Sequence, residues 1–375
     1  MKFIVIAVFT FLIFRQLIPL FQLIREFPLN DFSVYMSGVE HTLTDNPYTL
    51  KFFDYYNYPP AATLFFYPFN RLPVNTSEFI FTAVSVLSLF SVVILLFKLT
   101  RLRFPLYLLL ITYYLFLRFS PTRLTLTLGQ INLVVLLLLV LAYYLYRQGR
   151  GVMTGISLAL AFIFKFTPAF LLLFFILKKQ WKVVTAFICT LVLLHLLAIA
   201  AFGWPLTQYY YTQVLPQLLS QTSFYTLQRT HMNQSFTALL GRLGIFDAWH
   251  LVIKSTILLP LIFLLSKRIL KSKELFTDYC LLITAMTIFL PTFAWQHHYV
   301  FLIPAIFILA LHSLPLVAIF YLLLTFTIGP AFPAYPNPFI HSHLFLSAAA
   351  MFALMFVAKP QSSPGRKLIR RKPAG

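Results

Sequence analysis

The chain has 375 residues, 60% of them apolar or aromatic and only 10% charged, with a mean hydropathy of +0.84. Soluble domains carry about 25% charged residues, so this composition cannot cover a water-facing surface and excludes a soluble enzyme or a nucleic-acid-binding domain. The 29 Lys and Arg against 9 Asp and Glu give a net charge of +20, and the cations gather between apolar runs, the pattern that orients membrane proteins.

In chain order, apolar runs cover about 3–24, 79–97, 104–117, 130–146, 151–177, 183–203, 249–265, 276–291, 299–311, 314–328 and 344–358. They are dominated by Leu, Phe, Ile and Val without polar alternation, so helices are predicted and a barrel is not. The first run carries Arg15 and Gln16 midway and lacks a small-x-small cleavage site, so it is expected to remain as an uncleaved span. Cys189 and Cys280 lie inside apolar runs and offer no disulfide or metal framework.

The run 151–177 decides the topology. It is either one long span or a hairpin broken at Lys165-Phe166-Thr167-Pro168, where proline removes a backbone donor and biases its neighbour out of the helix. With the hairpin, 19 of the 29 cations share one side: Lys2, Lys98 to Arg103, Arg147 and Arg150, Lys178 to Lys182, Lys267 to Lys273, and six from Lys359 to Lys372. A single span moves the last three of these clusters to the other side, so the hairpin is preferred.

The expected fold is therefore all-α: a polytopic membrane protein of about 12 membrane segments, including the broken hairpin, in the plasma (inner) membrane. Residues 1–358 form a single membrane-embedded domain with both termini cytoplasmic. The outer loops are 25–78, 204–248, 292–298 and 329–343, with a short one at 118–129. Residues 359–375 form a basic cytoplasmic tail able to hold anionic lipid headgroups.

The carboxylates are unevenly placed. Glu26, Asp31, Glu40, Asp45, Asp54 and Glu78 lie in or beside the first outer loop, and none occurs between Glu78 and Asp247. Ion-coupled transporters place acids within their spans, so this distribution favours chemistry at the outer surface. On spacing alone, Asp31 is equally the N-cap of a helix starting at Phe32-Ser33-Val34-Tyr35.

Several short motifs follow one another along the chain: Asn30-Asp31-Phe32-Ser33-Val34-Tyr35 after a span, Asn46-Pro47-Tyr48, Tyr58-Pro59-Pro60, and Gly129-Gln130-Ile131-Asn132 opening a span. Lys165-x-x-Pro168, Asn233-Gln234-Ser235 and Trp295-Gln296-His297-His298 come next. In order and placement, over residues from about 30 to 300, they resemble the family 87 glycosyltransferases of the GT-C superfamily. That family includes actinobacterial polyprenyl-phosphate-mannose-dependent alpha-mannosyltransferases. The resemblance implies a GT-C-like bundle and transfer of a sugar, plausibly mannose, from a polyprenyl-phosphate donor to a lipid or glycan acceptor at the outer face. It also implies an inverting displacement with Asp31 as general base. One carboxylate suffices because the lipid phosphate is already a good leaving group. The rival readings are a lipid-linked-sugar transporter or flippase and a non-catalytic envelope-assembly protein.

The other candidates each carry two readings. Asp54, in Phe52-Phe53-Asp54-Tyr55-Tyr56, sits in a stretch that stacks on a sugar or lies in the interfacial aromatic belt. Tyr58, ahead of two prolines that are expected to bar a helix, and Gln130 and Asn132 are candidate substrate contacts. Amides at such a position also bond across helices. For the departing phosphate the candidates are Lys165, His297, His298 and Arg123. Lys165 alternatively snorkels to the surface, and Arg123 anchors headgroups. His231 and Asn233 are substrate candidates in the second large loop, whose amides and aromatics suit hydroxyl-rich ligands or an amphipathic surface helix. Adjacent histidines without a third ligand do not make a metal site, so no metal and no cofactor beyond the lipid-linked substrate is expected. The expected partners are the lipid-linked donor, a glycan or glycolipid acceptor and membrane lipids, with no nucleic acid.

Overall fold

The structure, a computed structural model, describes residues 2–49, 56–102, 105–220, 232–245, 247–272, 275–326 and 337–357. Among these residues every regular element is helical, and the only extended pairing is an isolated antiparallel bridge between Asn233 and Trp295. The chain opens with α1 (Lys2–Glu26) and α2 (Asn30–Thr44), then passes through the short α3 (Pro60–Phe66) to α4 (Val74–Thr100). It continues with α5 (Leu106–Arg118), α6 (Ser120–Leu128), α7 (Asn132–Arg147), α8 (Gly151–Phe164), α9 (Leu172–Leu177) and α10 (Trp181–Phe202). Later helices span Asp247–Lys271, Leu275–Ile288, Ile303–His312, Leu314–Thr325 and His343–Val357.

By length and composition, α1, α4, α10 and Trp249–Lys271 are long and apolar enough to cross a membrane, and the rest of the bundle is shorter apolar helices. At about 1.5 Å per residue the 14-residue α8 reaches roughly 21 Å, short of a ~30 Å hydrocarbon layer. Broken backbone at membrane depth is tolerated only where protein covers it. That cover is present: α4 buries Leu89, Val92, Val93 and Leu96 completely, and α7 buries Leu133, Leu136 and Val140 at the i, i+3, i+7 spacing of one helical face. The helix Leu275–Ile288 is buried all round from Asp278 onward and threads the core.

The segment 151–177 is a hairpin. A Cβ built on Gly151, at the start of α8, would stand 3.3 Å from Lys182 Cβ at the start of α10. Because α9 ends at Leu177, just before α10 begins, the chain must run up α8 and return. It turns at Lys165, whose extended backbone ends α8. At Gly155 a Cβ would come within 2.4 Å of Val183 O and 2.8 Å of Phe187 N, so only glycine lets α8 and α10 pack backbone to backbone.

This packing gives the bundle two chemically different ends. At one, Lys98 lies over the Tyr144 ring at 5.9 Å, and Lys178 donates to Ile269 O. Arg268 Nε also pairs there with buried Asp278 Oδ1 at 2.8 Å. The opposite end holds the start of α2, the turn between α6 and α7, the break at Lys165 and the segment 295–298.

Three local expectations are corrected. Residues 118–129 are largely helical, as α6, because Ser120-Pro121 starts a helix and Gly129 (φ +71°) closes it. Pro60 opens α3 rather than barring a helix, since the first helical position needs no N–H. Asp31 is not an N-cap: Leu29 occupies that position, and Asp31 lies one residue inside α2, in its first turn. The tail 359–375 and loop residues 329–336 lie outside the described residues.

Candidate active site

Asp31 is held from three directions. Leu29, which precedes α2, donates its N–H to Glu78 Oε1 at 2.8 Å, tying the start of α2 to the start of α4. Gly129 then lets the α6–α7 turn approach: a Cβ there would meet Leu29 Cβ and Phe32 Cβ at 2.8 Å each. The residue after that glycine, Gln130, donates its side-chain amide to Asp31 Oδ2. The third direction is electrostatic, from the Lys165 charge at the hairpin break.

The same amide organises a chain of phenols. Tyr35 Oη donates to Gln130 Oε1 at 3.3 Å, Tyr58 Oη donates to Tyr35 Oη at 3.2 Å, and Ile131 N donates to Tyr35 Oη at 3.4 Å. Tyr35 stacks on Phe66 with centroids 4.4 Å apart, which fixes the ring. Burial pushes the Asp31 carboxyl above its ordinary range, against the Gln130 hydrogen bond and the Lys165 charge, which both favour ionisation. A carboxylate placed this way is a stronger base than a solvated one and still has partners for its charged form.

Lys165 Nζ lies 3.2 Å from His298 Nε2, and a backbone hydrogen bond with Phe293 also holds the His298 ring. The Lys165 ammonium can donate to that nitrogen when the His298 imidazole is neutral. The neighbouring His297 ring crosses it at 88° with centroids 4.6 Å apart, and its buried Nε2 has no hydrogen-bond partner among the described residues. The His297 carbonyl accepts from Thr125 Oγ1 at 3.2 Å and from Asn132 Nδ2 at 3.4 Å, which pins the histidine pair to α6 and α7.

Of the residues expected from the sequence, Asp31, Gln130, Tyr58, Lys165, His297 and His298 gather at this end of the bundle. Asn132 is fully buried, and its amide supports the His297 backbone. Asn233 is also fully buried: Nδ2 donates to Thr292 O, while Oδ1 accepts from Ser235 N and Ala294 N, both at 3.1 Å. It clasps the segment leading to Trp295, with both amide atoms engaged by backbone. Arg123 stands exposed on α6. Asp54 and His231 lie outside the described residues. Sequence reasoning gave no role to Glu78, Tyr35 or Thr125, which bond Leu29, Gln130 and His297 across 49, 95 and 172 positions. Among the described residues no three His, Cys, Asp or Glu side chains gather as a metal set would require.

The sequence profile of Glycosyltransferase family 87 matches residues 56–292, well over half of the chain. The polyprenol-phosphate-mannose-dependent alpha-(1-2)-phosphatidylinositol pentamannoside mannosyltransferase of Mycolicibacterium smegmatis is 25% identical over 286 residues, 73% of this chain and 67% of that protein. A polyprenol-phosphate-mannose-dependent alpha-(1-2)-phosphatidylinositol mannoside mannosyltransferase of Mycobacterium tuberculosis is 25% identical over 276 residues, 68% of this chain and 62% of that protein. An alpha-(1->3)-arabinofuranosyltransferase of the same species is 28% identical over 185 residues, 46% of this chain and 41% of that protein. No solved structure matches. With an all-helical apolar bundle and a profile that matches residues 56–292, the chain belongs to glycosyltransferase family 87 and is a membrane glycosyltransferase.

Proposed function

We propose that the protein transfers a sugar, mannose by similarity to its relatives, from a polyprenyl-phosphate donor to a hydroxyl of a glycan or glycolipid acceptor. The observation that carries this reading is the Asp31 carboxylate, gripped by Gln130 and facing the Lys165 charge at the end of the bundle opposite the basic clusters. If those clusters face the cytoplasm, as the positive-inside rule predicts, Asp31 is at the outer face, where a lipid-linked donor presents its sugar.

Asp31 takes the proton of the acceptor hydroxyl as its oxygen forms the new bond to the anomeric carbon. The bond from that carbon to the phosphate oxygen breaks, and the polyprenyl phosphate leaves with the electron pair. One displacement inverts the anomeric centre, and the proton stays on Asp31 until it is released to water. Lys165 has N–H groups beyond the one given to His298 and offers them to the phosphate as its charge grows. His298 orients Lys165, and the unpartnered His297 Nε2 is a second polar contact for the leaving group.

The test is Asp31→Asn, which keeps the shape and removes the base. Removal of a general base costs about 10²- to 10⁴-fold, so transfer from polyprenyl-phosphate mannose should fall by that factor while membrane insertion is unchanged. Near-normal turnover in this variant rejects the assignment of Asp31.

A further inference from the structure

The two ends of a carboxamide have nearly the same shape, so hydrogen bonding alone decides which end of Gln130 faces Asp31. The nitrogen end favours the ionised carboxylate, whereas the oxygen end favours the protonated acid, which can donate to it. Resting on the reading of Asp31 as the base, the geometry points to Tyr35 as a positioning residue that acts through Gln130. Its phenol proton holds the amide oxygen, and so turns the amide nitrogen toward the carboxylate that takes the proton.

The direction of the network is set by a backbone group that cannot reverse. Among the described residues Tyr35 Oη meets three polar atoms: Ile131 N at 3.4 Å, Tyr58 Oη at 3.2 Å and Gln130 Oε1 at 3.3 Å. A peptide N–H only donates, so Ile131 fills one acceptor position of the phenol. Tyr58 donates into the other, which leaves the single Tyr35 proton for Gln130 Oε1. Turning the amide over would set its N–H groups against the Tyr35 O–H. Relief would require Tyr35 to redirect its proton to Tyr58, and Tyr58 to reverse its own. Burial pushes both phenols above their ordinary range, so both stay protonated near neutral pH.

The fold holds the heavy atoms still, so that the proton order carries the information. Tyr35 follows Asp31 by four residues in α2 and shares its face. The phenol is 1% exposed, stacked on Phe66, and edge-on to Tyr58 at 5.1 Å and to Phe81 at 6.1 Å. Across from it, the left-handed turn at Gly129 brings the Gln130 side chain and the next residue's N–H to one oxygen. The titratable groups around the carboxyl are Lys165 at the hairpin break, with His298 on its ammonium, Tyr35 on α2 itself and Tyr58 ahead of α3. Glu78, at the start of α4, is held by Leu29 N. Of these groups Tyr35 alone bonds the amide that bonds Asp31.

The experiment uses the full chain in lipid nanodiscs and reads the carboxyl directly. Infrared titration from about pH 4 to 9 follows the C=O band of protonated Asp31, identified by its loss in Asp31→Asn. Tyr35→Phe keeps the ring on Phe66 and frees the amide to turn over when Asp31 is protonated. Its midpoint should rise by about 0.5–1 pH unit, a three- to tenfold change in the protonation ratio and the scale of one neutral hydrogen bond. Tyr58→Phe leaves Ile131 N on the Tyr35 oxygen and Gln130 as the acceptor of its proton, so its midpoint should not rise. In the Gln130→Met background, Tyr35→Phe should move the midpoint no further, because the phenol acts through the amide. An unmoved midpoint in Tyr35→Phe, an equal rise in Tyr58→Phe, or a full second rise in the Gln130→Met background overturns the assignment of Tyr35. If the infrared midpoints move as expected while Asp31→Asn transfers sugar at a near-normal rate, Tyr35 stands as the positioning residue of this carboxyl and the reading of Asp31 as base falls instead.

Discussion

Gln130→Met isolates the interaction that sets the base. The methionine keeps the length of the side chain but cannot donate to Asp31 Oδ2, while Tyr35 Oη retains Ile131 N and Tyr58 as partners. A hydrogen bond to a charged group contributes about 1.5–3 kcal/mol, and 1.36 kcal/mol is about a factor of ten in a protonation equilibrium. Removing it therefore lowers the ratio of ionised to protonated Asp31 by about one to two orders of magnitude. The sign is fixed by the causes: burial favours the protonated carboxyl, and Gln130 and Lys165 favour its ionised form. The base acts ionised, so the acid limb of kcat/KM should move to higher pH, with activity restored at the alkaline end. The assay is product formation from polyprenyl-phosphate mannose, followed by mass spectrometry from about pH 5 to 9. A limb that stays in place or moves to lower pH would show that another group takes the proton.

Other outcomes follow from the same geometry. Lys165→Met should lower kcat/KM by about 10²- to 10³-fold, as loss of a transition-state charge partner does. Its acid limb should also move to higher pH, because the lysine charge favours ionised Asp31. Gly129→Ala forces a Cβ to within 2.8 Å of Leu29 and Phe32 at φ +71°, so the turn should shift and reproduce the Gln130→Met profile. The left-handed backbone adds about 1–2 kcal/mol of instability, read as a lower Tm. Ser235→Ala removes the cap to Ala238 N and the 2.6 Å bond to Thr292 O. Thermal unfolding in detergent should then show a loss of about 0.5–2 kcal/mol with the pH profile unchanged.

What could be read in advance was local. Apolar runs longer than a core helix fixed the helical class, and charge placement alone favoured a hairpin at 151–177, because a single span would scatter the basic clusters. Asp31, Gln130, Lys165 and His298 carry chemistry that stands out in an apolar chain. The supports did not stand out. Glu78 looks like one more outer-loop acid until Leu29 N is found on it, 49 positions away. Asn233 has the residue type of a sugar ligand, yet its three hydrogen bonds close a clasp over Thr292 and Ala294. Periodicity reports which face of a helix is apolar, but says nothing of which distant backbone group needs a partner. The α6 helix was missed for a related reason: nine residues with threonines and an arginine read as a loop, and only packing against 296–302 makes them a helix worth forming.

Lys165 is the cation that runs against the charge pattern. The basic clusters at the other end are explained by orientation, since Lys98, Lys178 and Arg268 lie where a positive-inside surface is expected. Orientation does not explain a lysine at the tip of a hairpin on the opposite end, whose ammonium lies 3.2 Å from the His298 imidazole. Placing a cation there is costly unless an anion arrives to meet it. Asp31 is near enough to feel the charge, but the two groups form no direct ion pair, so the charge of Lys165 is not used up by the carboxylate. In the proposed reaction, a phosphate leaving from a sugar beside Asp31 is an anion of the right kind, so the base and the lysine would act on one substrate.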